Sequence, residues 1–242
     1  MFSVENIYME NRRRGIYTGK RERDIMKLSS YIVHRKSSLG FSIVAEFKRR
    51  SPSGFTNSRN TDLEEYVGSM LDLGVSGISV LTEPTFFGGS YEDIHRISRM
   101  NIPILDKDFI NSRVMIESSY NAGADCILLI ADFLDRATLK DLALYASGMG
   151  MESLVEFHEP SALGKIPELD DIIIGYNRRN LRTLSMEGRE SEIIKDLEKR
   201  DNLRILESGL DPYNMRRDII RSFDSFLIGE ALLKKRKEES AA

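Results

Sequence analysis

One cysteine in 242 residues, Cys126, rules out a disulfide within the chain. It stands in the apolar run Cys126-Ile127-Leu128-Leu129-Ile130, the setting of a buried small hydrophobe rather than of a thiolate nucleophile. Histidine is nearly as scarce. His34, His95 and His158 lie far apart, Glu159 after His158 does not open an H-E-x-x-H, and no cysteine pair exists, so no metal site is expected. Neither G-x-x-x-x-G-K-[ST] nor a G-x-G-x-x-G after a strand occurs, and no cofactor is expected. No charge of one sign dominates: 35 Lys and Arg stand against 38 Asp and Glu, which excludes the cation excess that drives nucleic-acid binding. No stretch approaches the roughly 18 apolar residues of a membrane span, and residues 1–15 lack the apolar core of a signal peptide. The expectation is a cytoplasmic protein without membrane or nucleic-acid partners.

What the chain does have is a repeat. From about residue 41, short apolar β-prone runs alternate with longer amphipathic stretches, the pattern of βα units feeding a parallel sheet. The runs fall at 42–48, 76–81, 102–107, 126–131, 153–157, 172–175, 204–207 and 225–228, eight in all. Helical stretches follow at 62–73, 91–100, 112–122, 135–149, 161–166, 187–199, 213–222 and 230–239. Thr61 and Ser90 suit helix N-caps, and Gly74, Gly123 and Gly150 suit helix stops. Eight units close a (βα)8 TIM barrel, a fold of about 250 residues that forms one domain. Residues 1–40 do not fit the repeat; 11–30 read as charged and helical, so an N-terminal helical extension packs on a barrel spanning 41–242, and 1–242 is one domain.

Side chains alternate faces along a strand. A helix-covered outer face must be apolar, which sends Ile43, Ala45 and Phe47 outward and Val44, Glu46 and Lys48 inward. The same parity puts Leu105 and Lys107, Leu154 and Glu156, Ile173, Gly175 and Asn177, and Ile205 and Glu207 inside. Each series begins apolar and ends polar. The upper layer therefore gathers Glu46, Lys48, Lys107, Glu156, Asn177 and Glu207 at the carboxyl ends of the strands, where barrels of this kind place their active sites. Charges of both signs brought together shift one another's pKa values and supply acid and base near neutral pH.

Glu207-Ser208-Gly209 closes the seventh strand and Ile228-Gly229-Glu230 the eighth. Loops at these positions commonly bind phosphate, because glycines let backbone N–H groups approach the anion, and a phosphorylated small-molecule substrate is expected. The first loop, Arg49-Arg50-Ser51-Pro52-Ser53-Gly54-Phe55, is basic and turn-rich; Ser51, Ser53 and the arginines are placed to close over an anion. The second, with Phe86-Phe87-Gly88-Gly89, covers the barrel top or stacks on substrate. The basic run Lys234-Lys235-Arg236-Lys237 reads as the solvated end of the last helix.

Ala45-Glu46-Phe47-Lys48-Arg49-Arg50-Ser51-Pro52-Ser53-Gly54 resembles the signature of the indole-3-glycerol-phosphate synthase family. Further segments agree in order and spacing: Pro103-Ile104-Leu105-Asp106-Lys107-Asp108-Phe109, Leu154-Val155-Glu156, Asn177-Arg178-Arg179-Asn180-Leu181, Glu207-Ser208-Gly209 and Leu227-Ile228-Gly229-Glu230. The resemblance runs from about residue 41 to 233 and implies a barrel enzyme of tryptophan biosynthesis. Its reaction is ring closure, decarboxylation and dehydration of 1-(o-carboxyphenylamino)-1-deoxyribulose 5-phosphate to indole-3-glycerol phosphate. By this resemblance Lys107 matches the general acid, Glu156 the catalytic carboxylate, and Lys48 with Glu46 the second lysine and its partner. Asn177 and Glu207 match residues that hold the intermediate, and Arg179 lies near the substrate carboxylate. Ser208, Gly209, Gly229 and Glu230 match the phosphate segment, and Leu128 and Ile130 the apolar wall against the aromatic ring.

Two positions depart from the family pattern. Asp106 stands where a basic residue is common, and Asn180 replaces the acid of the usual N-R-D-L; parity turns Asp106 outward, away from the site. A phosphoribosylanthranilate isomerase would need its catalytic Cys at a strand end, whereas Cys126 lies within a strand. An inactive barrel kept as a binding subunit is disfavoured by competent residues at every matched position. A monomer is expected, with another pathway enzyme as the one partner left open.

Overall fold

The computed structural model describes residues 3–11, 14–57 and 61–233. Eight strands, β1 (Ile43–Phe47), β2 (Gly77–Leu81), β3 (Ile104–Lys107), β4 (Cys126–Ile130), β5 (Glu152–Phe157), β6 (Ile172–Asn177), β7 (Arg204–Glu207) and β8 (Ser225–Ile228), pair in parallel with their sequence neighbours. Pairing of Val44 with Leu227 joins β1 to β8 and closes the cylinder. Helices α3 (Leu63–Asp72), α4 (Tyr91–Ile97), α5 (Arg113–Ala122), α6 (Arg136–Gly148), α7 (Glu190–Leu197) and α8 (Arg217–Ser222) alternate with the strands, and a 3-10 turn at Pro160–Lys165 takes the place of a helix after β5. This is the expected (βα)8 TIM barrel. No helix among the described residues is long and apolar enough to cross a membrane.

The parity argument is realised in two separate apolar clusters. Val44, Leu105, Cys126, Leu128, Ile130, Leu154, Ile173, Ile205 and Leu227 fill the barrel interior. Ala45, Phe47, Ile78, Val80, Ile104, Ile127, Leu129, Val155, Phe157, Leu206 and Phe226 face the helices. Interior side chains of this kind hold the strand ends rigid, which is what fixes the polar groups above them.

Helix boundaries differ from the sequence reading where local chemistry decides them. The cap of α3 is Asp62 rather than Thr61, because its carboxylate accepts from both Glu64 N and Glu65 N. Ser90 does cap α4, in a capping box with Asp93. Gly123 ends α5 at φ 109°. The last stretch, 230–239, is described as helical only to Leu233, and Lys234, Lys235, Arg236 and Lys237 lie outside the described residues.

The larger correction concerns the extension. Its helices are α1 (Val4–Asn11) and α2 (Leu28–Leu39), and most of the segment read as helical between them is irregular. That segment is held by arginine side chains instead of by its own backbone ladder. Arg14 donates to Thr82 O and pairs with Asp108, while Arg21 and Arg23 both reach Asp125. Helix α2 covers the amino ends of the strands: Leu28 and Ile32 join the interior cluster and Ser29 N donates to Glu152 at the start of β5. Helix α1 sits at the opposite end, where Asn11 donates to Asp108 and Phe109 O and the Tyr8 ring stacks on Phe133.

Candidate active site

A cleft of about 1040 Å³, open to solvent, lies at the carboxyl ends of the strands. Its wall includes Glu46, Lys48, Lys107, Glu156, Asn177 and Glu207, all six upper-layer residues expected from strand parity. Ser51, Ser53, Leu128, Ile130, Arg179, Ser208, Gly209, Gly229 and Glu230 line the same cleft. Arg49 and Arg50 of the first loop, also expected over the anion, do not line it.

Lys107, at the last position of β3, points its ammonium between two carboxylates. Its Nζ is 3.0 Å from Glu156 Oε2 and in closer contact with Glu207 Oε2. Burial acts to neutralise this lysine, but Glu156, Glu207 and Glu46 outweigh it and hold the group protonated, above the ordinary lysine range. The two glutamates titrate in opposite directions. Burial alone would raise Glu156; Lys107 and His158 on its two sides reverse this and keep it ionised. Glu207 is raised well above normal by burial and by the Glu156 charge, more than Lys107 compensates, which favours its protonated form over that of Glu156. The sum is one ammonium acid, one carboxylate and one neutral carboxyl within a single layer.

Across the barrel, Lys48 lies 3.0 Å from Glu46 Oε1 and 3.4 Å from Glu230 Oε1. Burial works to raise Glu46, and the ammonium groups of Lys48 and Lys107 pull it below the usual carboxylate range. Two glycines make room for these acids. A Cβ on Gly175 would lie 2.5 Å from Glu207 Oε1, and one on Gly229 2.8 Å from Glu46 Oε1. Gly229 therefore serves close packing as well as lining the rim. Ser208 (φ 70°) and Gly209 (φ 60°) take left-handed backbone at the end of β7, a strained turn for serine of the sort found at ligand sites.

The first loop contributes hydroxyls but not its arginines, contrary to expectation. Arg49 forms a two-pronged pair with Asp93 at 2.7 and 2.6 Å, and Arg50 donates to Pro84 O and Thr85 O. Both pin the loop to its neighbour, leaving Ser51 and Ser53, 2.8 Å apart, on the cleft. Phe87 lines the cleft and packs on Phe109. Sequence reasoning missed Phe109, Leu181 and Leu184 among the lining residues. It also missed His158, whose Nε2 is 2.9 Å from Glu156 Oε1. Parity carried two residues past Glu156 would have turned His158 inward. Cys126 is fully buried inside the barrel at the opening of β4, with burial holding its thiol protonated.

Residues 9–242 match the model of the family described as indole-3-glycerol phosphate synthase. The chain belongs to the indole-3-glycerol phosphate synthase family. An indole-3-glycerol phosphate synthase of Picrophilus torridus is 40% identical over 231 residues, covering 95% of this chain and 91% of that protein. One of Sulfurisphaera tokodaii is 43% identical over 220 residues, covering 88% and 86%. Among solved structures, tryptophan synthase subunit alpha of Legionella pneumophila superposes with a TM-score of 0.63 at 11% identity, covering 90% and 91%, a likeness of fold alone.

Within the indole-3-glycerol phosphate synthase family pattern, the two departures have structural accounts. Asp106 faces outward, fully buried, and accepts from Thr82 Oγ1 at 2.6 Å and Ser119 Oγ at 2.5 Å, fastening β3 to α5. Burial raises its carboxyl despite those bonds. Asn180 accepts from Arg182 N and Thr183 N, closing a turn, and donates to Glu187 Oε1 at 2.8 Å. Arg179 is oriented instead by Asn177 Oδ1, which accepts from its backbone N, and by Leu184 O, which accepts from its guanidinium.

Proposed function

We propose that the cleft carries out the synthase reaction on 1-(o-carboxyphenylamino)-1-deoxyribulose 5-phosphate with Lys107 as the acid of ring closure. The supporting observation is the seat of Lys107: a buried ammonium between Glu156 and Glu207, above an apolar floor of Leu128 and Ile130. The aromatic ring rests on that floor, the ketone oxygen meets Lys107, and the phosphate reaches the Ser208-Gly209 and Gly229 rim.

Ring closure forms a bond from the ring carbon bearing the carboxylate to the ketone carbon, and the ketone oxygen takes the Lys107 proton. The resulting ring cation faces Glu156, whose negative charge stabilises it until carbon dioxide leaves and its bond electrons restore aromaticity. Glu46 and Lys48 then manage loss of the hydroxyl as water. Lys48 delivers a proton to the leaving oxygen and Glu46 accepts the one released as the pyrrole forms. Asn177 and neutral Glu207 hold the intermediate by hydrogen bonds, Arg179 holds the substrate carboxylate, and Ser51 and Ser53 close the first loop over the phosphate end.

The same reading takes 1–242 as one domain and the enzyme as a cytoplasmic monomer, which sedimentation of the purified chain checks. Incubation with the substrate and observation of indole absorbance tests the activity. Lys107→Ala should lose at least about a thousandfold in kcat with its circular dichroism unchanged; near-normal turnover removes Lys107 from the chemistry.

A further inference from the structure

His158 Nδ1 lies 2.8 Å from Arg179 O in a hydrogen bond, and Nε2 lies 2.9 Å from Glu156 Oε1 in an ion-pair contact that is not aligned as a hydrogen bond. A carbonyl oxygen has no proton to give, so Nδ1 carries one; a bare Nε2 lone pair so close to an ionised carboxylate oxygen would be repelled, so Nε2 carries the second. A ring with both protons is an imidazolium. With its side chain 6% exposed, it holds that charge only against a matched anion.

We propose that His158 is a positioning residue for ring closure, an imidazolium that holds Glu156 ionised and oriented from the side opposite Lys107 and ties β5 to the β6 loop bearing Arg179. The proposal rests on the assignment of Lys107 and Glu156 as the reacting pair. Lys107 hydrogen-bonds one oxygen of Glu156 and His158 pairs with the other, which opposes rotation of the carboxylate. When Lys107 gives its proton to the ketone oxygen, Glu156 keeps a cation on its second oxygen and does not draw a proton itself. It then remains negative when the ring cation needs it.

The charged and titratable surroundings of His158 come from several elements. Glu156 is on its own strand. Asp132, after β4, accepts from His158 N and Glu159 N at 2.8 and 3.0 Å. Glu159, Lys165 and Arg182 share with it a second cavity beside the cleft. The Tyr8 ring from α1 is buried next to Glu156 and Asp132. Burial disfavours the imidazolium, but Glu156 and Asp132 outweigh it and hold the ring above the ordinary histidine range. The charge is thus held to higher pH than on an unpaired ring and is lost as pH rises through the elevated value.

The test is nuclear magnetic resonance of the full chain labelled with 15N-histidine, with its three histidines assigned by single replacement to glutamine. The expected result is a His158 ring protonated on both nitrogens at pH 7, which loses a proton at lower pH in Glu156→Gln. In kinetics, His158→Gln should lower kcat roughly tenfold to a hundredfold with KM within about twofold. Its acidic limb should move to higher pH, because Glu156 has lost a counter-charge. A neutral His158 ring at pH 7 in the unaltered chain overturns the proposal while leaving Lys107 in its role, and so does a His158→Gln enzyme with unchanged kcat and pH profile. Normal turnover in Lys107→Ala with an imidazolium at His158 overturns the catalytic reading instead, and the positioning role falls with it.

Discussion

Glu156 and Glu207 flank one ammonium group, yet replacing each with its amide should give unequal enzymes. Glu207 is the protonated member, so glutamine copies its charge and shape, and Lys107 and Glu156 keep each other. Its loss in kcat should stay within about tenfold and its loss in stability within about 1 kcal/mol. Glu156 is ionised between two cations, Lys107 at 3.0 Å and His158 at 2.9 Å. Glutamine there weakens the charge-assisted hydrogen bond from Lys107 and removes the ion pair with His158, leaving a buried cation without its anion. Without relaxation the cost is about 3–5 kcal/mol, as for breaking one side of a buried ion pair, and less once His158 sheds its proton. The charge that stabilises the ring cation also goes, so kcat should drop about a thousandfold, near 4 kcal/mol in the barrier. Steady-state indole formation and urea unfolding, run side by side on the two amides, measure both quantities. Equal effects, or a more damaged Glu207→Gln, would refute the assignment of protonation states. Linkage gives the pH course: stability from Glu156 is complete above its unfolded pKa and is lost as pH falls through its depressed folded value.

Gly175→Ala should lower kcat by more than about tenfold and cost about 1–3 kcal/mol in urea unfolding, since its Cβ would meet Glu207 Oε1 at 2.5 Å and Leu154 Cδ1 at 3.1 Å; a fully active variant means Glu207 is free to move. Asn180→Asp installs the acid common in the family but sets it against Glu187, now 2.8 Å from Asn180 Nδ2. The loop bearing Arg179 should loosen and KM rise about threefold to tenfold, and an improved KM would show that Asp restores a better partner for Arg179.

The barrel and its rim were legible because one constraint governs both. A helix-covered strand needs an apolar outer face, so Ala45 and Phe47 fix where Glu46 and Lys48 must point, and β3, β5, β6 and β7 repeat the same logic. What escaped was set by contacts distant in sequence. Whether Arg49 meets an anion or Asp93 depends on where the second loop lands, 44 residues away. The segment after Asn11 looked helical because its charge pattern resembles a solvated helix face. Its arginines in fact satisfy carbonyls and carboxylates on the barrel wall, such as Ala124 O and Asp125 for Arg21. His158 reads from sequence first as a candidate metal ligand, although it shares the inward parity of Glu156 two residues before it.

The extension is synthesised ahead of every group it grips. Asn11 waits 97 residues for Asp108, Arg21 waits 104 for Asp125, and Lys27 waits 144 for Asp171. Until β6 has been made, neither end of the cylinder offers it a complete seat, and closing so long a loop early would cost entropy without return. The segment translated earliest is therefore among the last to complete its contacts.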